Sequence, residues 1–406
     1  MSIFKFCRSQ AWLFKVALVL SVLIFTLSSL ASCGKSETTQ ILPQSGETIV
    51  LNRPQSGVLP HVSASSAILI EVGTKTIIGE KNSDERMPMA STTKIMTALV
   101  AIENADISKT VAISPAAVNV EGSSIYLYEG EKLTLEDLIY AMMLESANDA
   151  AAAIAIEVGG SIEGFAEMMN QKADELGLKN TSFKNPHGLD NSEHYTSAKD
   201  LAIIAIAAME NPTFKEIVST YKKTIPLNET EGVRLLINHN KLLKGYDGTV
   251  GIKTGYTKKS GRCLVSAAEK NGVKLICVTL NAPDDWRDHS NMLDFGFSIF
   301  ESRLLCSDGE FNYTLPIIGG DKDCVTVKNR GELQAIIRRG SEEINYKVYL
   351  PKFAYASISE GEPLGTIVFY SGDEEIGSLP LCASSSVDRI IYKNSFFKKL
   401  TSLFLK

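Results

Sequence analysis

The chain has 406 residues, of which 44% are apolar and 22% charged, proportions that exclude a disordered chain and a polytopic membrane protein. At roughly 100–200 residues per domain this length admits two or three domains. The formal charge is −6, and because the first 32 residues hold three cations and no acid, the remainder carries −9, which argues against nucleic acid as a partner.

The basic stretch with Lys5, Arg8 and Lys15 precedes an uncharged run from Val16 to Leu30. That run is short of the ~20 apolar residues of a membrane span and is followed by small residues, so residues 1–32 read as an export signal. Leu30-Ala31-Ser32-Cys33 resembles the bacterial lipobox, in which the thiol, here of Cys33, is lipidated and becomes the mature N-terminus. Ordinary cleavage after Ala31 is the other reading. Either places the mature protein outside the cytoplasm, and lipidation would hold it on the outer face of the cytoplasmic membrane. Residues 33–55 are rich in Ser, Thr, Gln and Gly without an apolar period, as expected of a tether.

From residue 56 the patterns are those of a folded domain. Ala67 to Val72 and Thr76 to Gly79 flank Gly73-Thr74-Lys75 and predict a hairpin. From Ser91 the apolar residues Ile95, Met96, Leu99, Val100 and Ile102 predict a buried helix. Thr134-Leu135-Glu136-Asp137 resembles a capping box at the head of a second helix. An Ala-rich helix is expected from about Asp149 to Val158, stopped by Gly159-Gly160, with further helices at 161–176 and 197–210. Strand character returns at Val250 to Thr254, Cys263 to Ala268 and Lys274 to Leu280, with Asn271-Gly272 as a hairpin turn. Strands at both ends with helices between them imply an α+β domain whose antiparallel sheet gathers the two ends.

A helix is expected around 287–304, closing this domain at about 305. Alternation at Ile344, Tyr346, Val348 and Leu350, with a β-rich run from Thr366 to Tyr370, predicts a small all-β domain over 308–385. In the last segment, 386–406, Phe396, Phe397, Leu400, Leu403 and Phe404 share one helical face opposite Lys398, Lys399 and Lys406. This predicts a basic amphipathic helix lying on a membrane surface, with packing against its own β domain as the alternative.

Five cysteines follow Cys33 with no CxxC spacing, and the five histidines show no ligand spacing, so no metal or other cofactor is expected. A pair such as Cys306 with Cys324 stays open. Three short motifs carry chemistry. Ser91-Thr92-Thr93-Lys94 sets a hydroxyl and an amine one helical turn apart on one face. A lysine amine takes a serine proton only if desolvation or a nearby cation lowers its pKa. Ser146-Ala147-Asn148 falls between two predicted helices, and Lys253-Thr254-Gly255 ends an apolar strand whose glycine lets a peptide backbone lie close. Singly, each reads equally well as a capping serine, a loop serine or a strand-end lysine.

Together and in this order, SxxK, SxN and KTG resemble the signature of penicillin-binding proteins and serine β-lactamases. Phe183 to Leu189, Tyr195 to Ala202, and Lys253 to Thr257 followed by Ser260-Gly261 look like the D-alanyl-D-alanine carboxypeptidases in particular, over roughly residues 56–385. The resemblance implies a penicillin-binding-protein/β-lactamase-like transpeptidase domain followed by a small all-β domain. It implies acylation of Ser91, activated by Lys94 as base, and a proton relay through Ser146 to the leaving D-alanine. Asn148 would hold the peptide backbone, and Lys253 would line the cleft, together with Thr254 and Gly255, and help keep Lys94 neutral. The N–H groups of Ser91 and Tyr256 would form the oxyanion hole. Arg287 stands about where that family reads the substrate's terminal carboxylate, while Asn185 and His187 are structural. The implied partners are peptidoglycan stem peptides and β-lactam antibiotics. A β-lactamase is the alternative enzyme, but the position matching the deacylating glutamate of an ExxLN segment holds Thr224. A β-lactam sensor without turnover is the non-enzymatic alternative.

Overall fold

The computed structural model describes residues 49, 51–52, 58–227, 232–340 and 343–391. The expected export signal, Cys33 and most of the tether lie outside the described residues. The first apolar run forms β1 (Ser66–Glu71), paired with β2 (Thr76–Lys81). The buried Glu71 carboxylate closes their turn by accepting from the N–H groups of Gly73 at 3.1 Å and Thr74 at 2.7 Å. A 3₁₀ turn, Ala90–Thr93, then leads into α1 (Lys94–Asn104).

Short strands β3 (Thr110–Ala112) and β4 (Lys132–Thr134) pair ahead of a run of helices: α2 (Leu135–Leu144), α3 (Asn148–Gly159), α4 (Ile162–Glu175), α5 (Ala198–Glu210) and α6 (Pro212–Ser219). Their starts are chemically marked. Thr134, Ser161 and Ser197 each accept a backbone N–H three residues on, satisfying a donor the helix itself leaves free. Gly160, at φ 74°, ends α3 in the left-handed conformation that suits glycine. A hairpin of β5 (Lys222–Pro226) and β6 (Val233–Ile237), a one-turn α7 (Leu242–Gly245), and the strands β7 (Thr249–Thr257), β8 (Gly261–Lys270) and β9 (Val273–Leu280) follow. Asn271 and Gly272 both have positive φ between β8 and β9, as a type I′ turn requires.

The main sheet runs β2-β1-β9-β8-β7, antiparallel throughout, so the N-terminal hairpin joins the C-terminal strands as expected. Both faces are covered. Ile68 and Ile70 of β1, with Ile276 and Val278 of β9, enter the large core with the helices, while Ala67, Leu69, Leu275 and Cys277 pack against α8 (Asp285–Ile299). Burial on both faces explains why these strands read as unbroken apolar runs instead of an alternation.

The helix expected to reach 304 stops at Ile299, and β10 (Phe300–Cys306) pairs with β13 (Leu333–Arg338), so β structure begins before the expected boundary at 305–308. Pairing across the unit decides this, because Phe300 to Cys306 has enough apolar residues for either element. The remaining strands are β11 (Asn312–Ile318), β12 (Cys324–Asn329), β14 (Ile344–Tyr349), β15 (Ala354–Tyr355), β16 (Pro363–Ser371) and β17 (Glu374–Ala383), in the sheet order β14-β16-β17-β12-β11-β15. The described start of the segment expected as an amphipathic helix is extended: Val387 bridges Ile358 and Arg389 bridges Gly320. Residues 392–406, with the proposed apolar face, lie outside the described residues. Cys306 and Cys324 are free thiols, one buried and one exposed. No described helix is long and apolar enough to cross a membrane.

A hydrogen-bonded carboxylate ties the segment before β1 to α8. The buried Asp288 carboxylate accepts from Ser63 N at 2.9 Å, Ser63 Oγ at 2.6 Å and Ala64 N at 3.2 Å. Asp288→Ala strands those donors and is expected to lower stability by about 2–4 kcal/mol, checked by urea denaturation. An unchanged midpoint would show that the contact contributes nothing.

Candidate active site

The serine of the first motif sits in a tight turn. Ala90 just before it is left-handed at φ 47°, a conformation that strains a residue with a Cβ. The Thr92 and Thr93 hydroxyls hold the turn by donating to the carbonyls of Met89 at 2.6 Å and Ala90 at 2.8 Å. The Ser91 hydroxyl caps neither the turn nor α1, which removes the capping reading of this serine. Lys94, the first residue of α1, has no exposed surface at all, which removes the solvated reading of the lysine.

Lys94 Nζ has three close neighbours: Asn148 Oδ1 at 2.6 Å, the His187 carbonyl at 2.6 Å and Ser91 Oγ at 3.0 Å. The Asn148 amide is oriented by its own Nδ2, which donates to the Glu121 carbonyl at 2.5 Å, so Oδ1 faces the lysine and can only accept. A carbonyl oxygen likewise only accepts. Lys94 is held well below the usual lysine pKa by burial first and by the charge of Lys253 second, against an opposing pull from Asp149. A neutral amine has two N–H bonds and one lone pair. With both N–H groups directed to Asn148 and His187, the lone pair is left for the Ser91 hydroxyl.

The surrounding loops maintain that arrangement. Asn185 Oδ1 accepts from His187 N at 3.3 Å and Gly188 N at 2.7 Å, turning the His187 carbonyl inward. A Cβ on Gly188, at φ 90°, would fall 1.9 Å from the Ala90 carbonyl oxygen, so the two loops meet only with glycine there. Lys184 N donates to His194 Nδ1 at 3.0 Å, which leaves the Nε2 proton for Thr93 Oγ1 at 2.8 Å. Burial and the proximity of Lys94 bring His194 down to about 4, and burial, Lys94 and His194 bring His187 down to about 3. Asp149 is absorbed by the Ser124 hydroxyl at 2.6 Å and the N–H of Leu127 at 3.0 Å, which anchors the loop carrying Ser123.

β7 supplies the opposite wall as the edge strand of the sheet, packed against the serine turn. A Cβ on Gly255 would lie 3.0 Å from Ser91 N and 3.1 Å from Thr92 N, so this glycine permits the approach. Lys253 is buried beside it, and burial, opposed by Glu145, brings its pKa to about 7. The cleft, about 370 Å³, is lined by Ser91, Ser146, Thr254, Gly255 and Tyr256. Ser146 reaches it from a left-handed turn at φ 60° and bonds none of Ser91, Lys94 or Lys253 through its hydroxyl. Asn148, Lys94 and Lys253 are buried around it.

Arg287 is not brought into this cleft. Its side chain is 70% exposed and pairs with Asp284 at 2.6 Å. α8 begins at Asp285 and turns Asp285 and Trp286 to the cleft, and the next residue lies about 100° further round. Six lining residues were not expected: Ser123, His239, Lys241, Arg262, Asp285 and Trp286. Of these only Arg262 had a local signal, since it follows Ser260-Gly261 and lies opposite Tyr256 in the hairpin register.

The family pattern of D-alanyl-D-alanine carboxypeptidases matches residues 53–284, and that of the C-terminal domain of penicillin-binding protein 5 matches residues 300–389. The chain belongs to the D-alanyl-D-alanine carboxypeptidase family. Among its relatives, D-alanyl-D-alanine carboxypeptidase DacF of Bacillus subtilis is 34% identical over 80% of this chain and 86% of that protein. DacC of Escherichia coli is 30% identical over 81% and 85%. A peptidoglycan synthesis regulatory factor (PBP3) of Streptococcus pneumoniae superposes with a TM-score of 0.68 at 25% identity, covering 81% of this chain and all of the other. Penicillin binding protein 5 of Haemophilus influenzae gives 0.61 at 27%, covering 82% and all of it. Family membership thus covers both the α+β unit and the β-rich unit.

Lys253 makes the site measurable by pH. The unfolded chain keeps this proton up to about 10.5 and the folded chain only up to about 7, so stability rises with pH across that window and the burial penalty is fully present below it. Lys253→Met should therefore melt above the wild type at pH 6, with the gap closing between pH 7 and 10.5. A gap independent of pH would refute the depressed pKa.

Proposed function

We propose that this chain is a serine DD-carboxypeptidase that removes the terminal D-alanine of peptidoglycan stem pentapeptides. The observation that carries the reading is the buried Lys94 amine, 3.0 Å from Ser91 Oγ, whose two other neighbours can only accept. In this mechanism Ser91 Oγ attacks the carbonyl carbon of the penultimate D-alanine while its proton passes to the Lys94 lone pair. The backbone N–H groups of Ser91 and Tyr256 stabilise the oxyanion that develops in the tetrahedral transition state. The C–N bond breaks as D-alanine leaves with a proton relayed through Ser146, and water then hydrolyses the ester on Ser91. Asn148 serves twice, orienting Lys94 and presenting its amide to the peptide backbone. Lys253 keeps Lys94 neutral, and the edge of β7 at Thr254 to Tyr256 receives the substrate as an added extended segment. A β-lactam enters the same route, with its ring amide as the bond broken and a slow ester as the result.

The reading extends to location. A basic, then uncharged N-terminus, the tripeptide before Cys33, and a net +4 over residues 387–406 support export, lipidation of Cys33 and a second contact with an anionic membrane surface. Action on peptidoglycan requires a place outside the cytoplasm in any case.

Two experiments test these statements. Ser91→Ala should abolish both D-alanine release and labelling by fluorescent penicillin, and Lys94→Ala should reduce both by at least about 10²-fold, the lower range for general-base catalysis. Labelling that survives in Ser91→Ala would place the acyl group elsewhere. In fractionated cells, deleting residues 387–406 should leave the protein on the membrane, while Cys33→Ala should be held only through the tail and released by salt. Release by the tail deletion alone would show that Cys33 is not lipidated.

A further inference from the structure

We propose that Glu145 is a positioning residue of the active site: its carboxylate ties the turn that carries Ser146 to the segment after β6 and supplies the negative charge that holds Lys253 as a cation. The proposal rests on the carboxypeptidase reading, which needs a charged Lys253 to keep Lys94 neutral.

Glu145 stands just past the end of α2, where its N–H donates to the Ala141 carbonyl. The C-terminus of a helix carries partial negative charge, so nothing local stabilises a carboxylate there. Its partners come from a distant part of the chain. Glu145 Oε1 accepts from Ile237 N at 2.6 Å, and Oε2 lies 3.2 Å from His239 Nε2. His239 N in turn donates to the Leu144 carbonyl at 3.3 Å. Residues 237–239 are thus clamped to residues 144–145 at three points. Ser146 follows directly in its left-handed turn, and it lines the cleft together with His239, Thr254 and Gly255.

The second part of the role is electrostatic. Lys253 is buried, and its Nζ donates to the Thr254 carbonyl at 3.2 Å. An ammonium in so dry a place needs a compensating charge. Glu145 is the acid whose charge opposes the burial of Lys253 and leaves its pKa at about 7. The other ionisable groups around this lysine do not do so. Asp149 on α3 acts on Lys94 and is held by the 124–127 loop. Burial favours the neutral forms of Lys94 on α1 and of His187 and His194 behind it. Arg262 on β8 pairs with Asp285 on α8, and Lys241 is exposed. On α6 and α7, Lys215 pairs with Glu269, while Glu216 and Lys244 are exposed.

The test follows the rate of acylation by benzylpenicillin across pH, where loss of the Lys253 proton sets the fall on the basic side. Glu145→Gln keeps an acceptor for Ile237 N and removes the charge. It should move the basic limb down by roughly half a pH unit, so that the rate at about pH 8.5 drops about threefold while the rate at the optimum changes less. Glu145→Asp keeps the charge and should hold the limb near that of the wild type, and Glu145→Ala should move it as Gln does. The position of a limb is insensitive to how much of the protein is folded. An unmoved limb, or a loss equal at every pH, would overturn the proposal. A second readout needs no activity. At about pH 6, Glu145→Gln should lower Tm by roughly 1–2 °C more in the Lys253 chain than in Lys253→Met, and this difference should be gone by about pH 9. The His239 contact is affected alike in both backgrounds and cancels. Should the wild type neither acylate nor release D-alanine, the carboxypeptidase reading falls. The Tm comparison then judges Glu145 by itself, and equal losses in the two backgrounds overturn its role.

Discussion

Two lysines buried side by side, Lys94 and Lys253, are the constraint on which the rest of this structure depends. Removing an ammonium from water is unfavourable, and putting two in one dry site adds repulsion, so at least one amine must be neutral. Lys94 has that role, because burial and the neighbouring Lys253 hold its pKa well below the usual lysine value, and its three contacts accommodate an amine with two donors and one lone pair. The acid nearest in effect, Asp149, does not neutralise the pair, because its oxygens are taken by the 124–127 loop and by the N–H of Ala150. The same electrostatic conflict that weakens the fold therefore makes a base out of a side chain that is normally an acid.

Such a site needs a rigid frame. The large core packs α1, α5 and α6 against one face of the sheet with α2 and α3 behind them, so that the serine turn, the Ser146 turn and β7 are each held by different elements. Two left-handed residues, Ala90 and Ser146, sit where those elements converge. Neither is glycine, so the surrounding packing must enforce both conformations. Gly188 and Gly255 do the reverse: each lacks a side chain where one would separate the walls.

Arg262 and Asp285 show how one wall of the cleft is assembled from elements that are distant in the chain. The arginine belongs to a hairpin and the carboxylate that aims it belongs to the head of a helix, and they meet because α8 packs on the sheet. A peptide added along β7 would run between this pair and the serine turn.

The motifs, their order and the alternation of elements around them are legible in the sequence, because these depend on neighbours along the chain. Helical starts at Thr134, Ser161 and Ser197 and the Asn271-Gly272 turn are local chemistry, legible one residue at a time, whereas Gly255, which the sequence marks only as room for a peptide backbone, makes room for the serine turn of the chain itself. The α6 helix is equally marked, by Asn211 as a cap and Pro212 at its first position, although the sequence reading carries no element between residue 210 and Val250. Tertiary structure alone decided that Phe300 to Cys306 is a strand, since its pairing partners lie 27 to 38 residues further on, and that residues 386–391 are extended. It alone decided that Arg287 faces solvent while Arg262 faces the cleft. A helix turns about 100° per residue, so an arginine's direction depends on where the helix begins and on what it packs against. Motif spacing carries neither quantity. The neutrality of Lys94 is of the same kind: the sequence names the amine, and only burial among acceptors and beside a second cation sets its proton affinity.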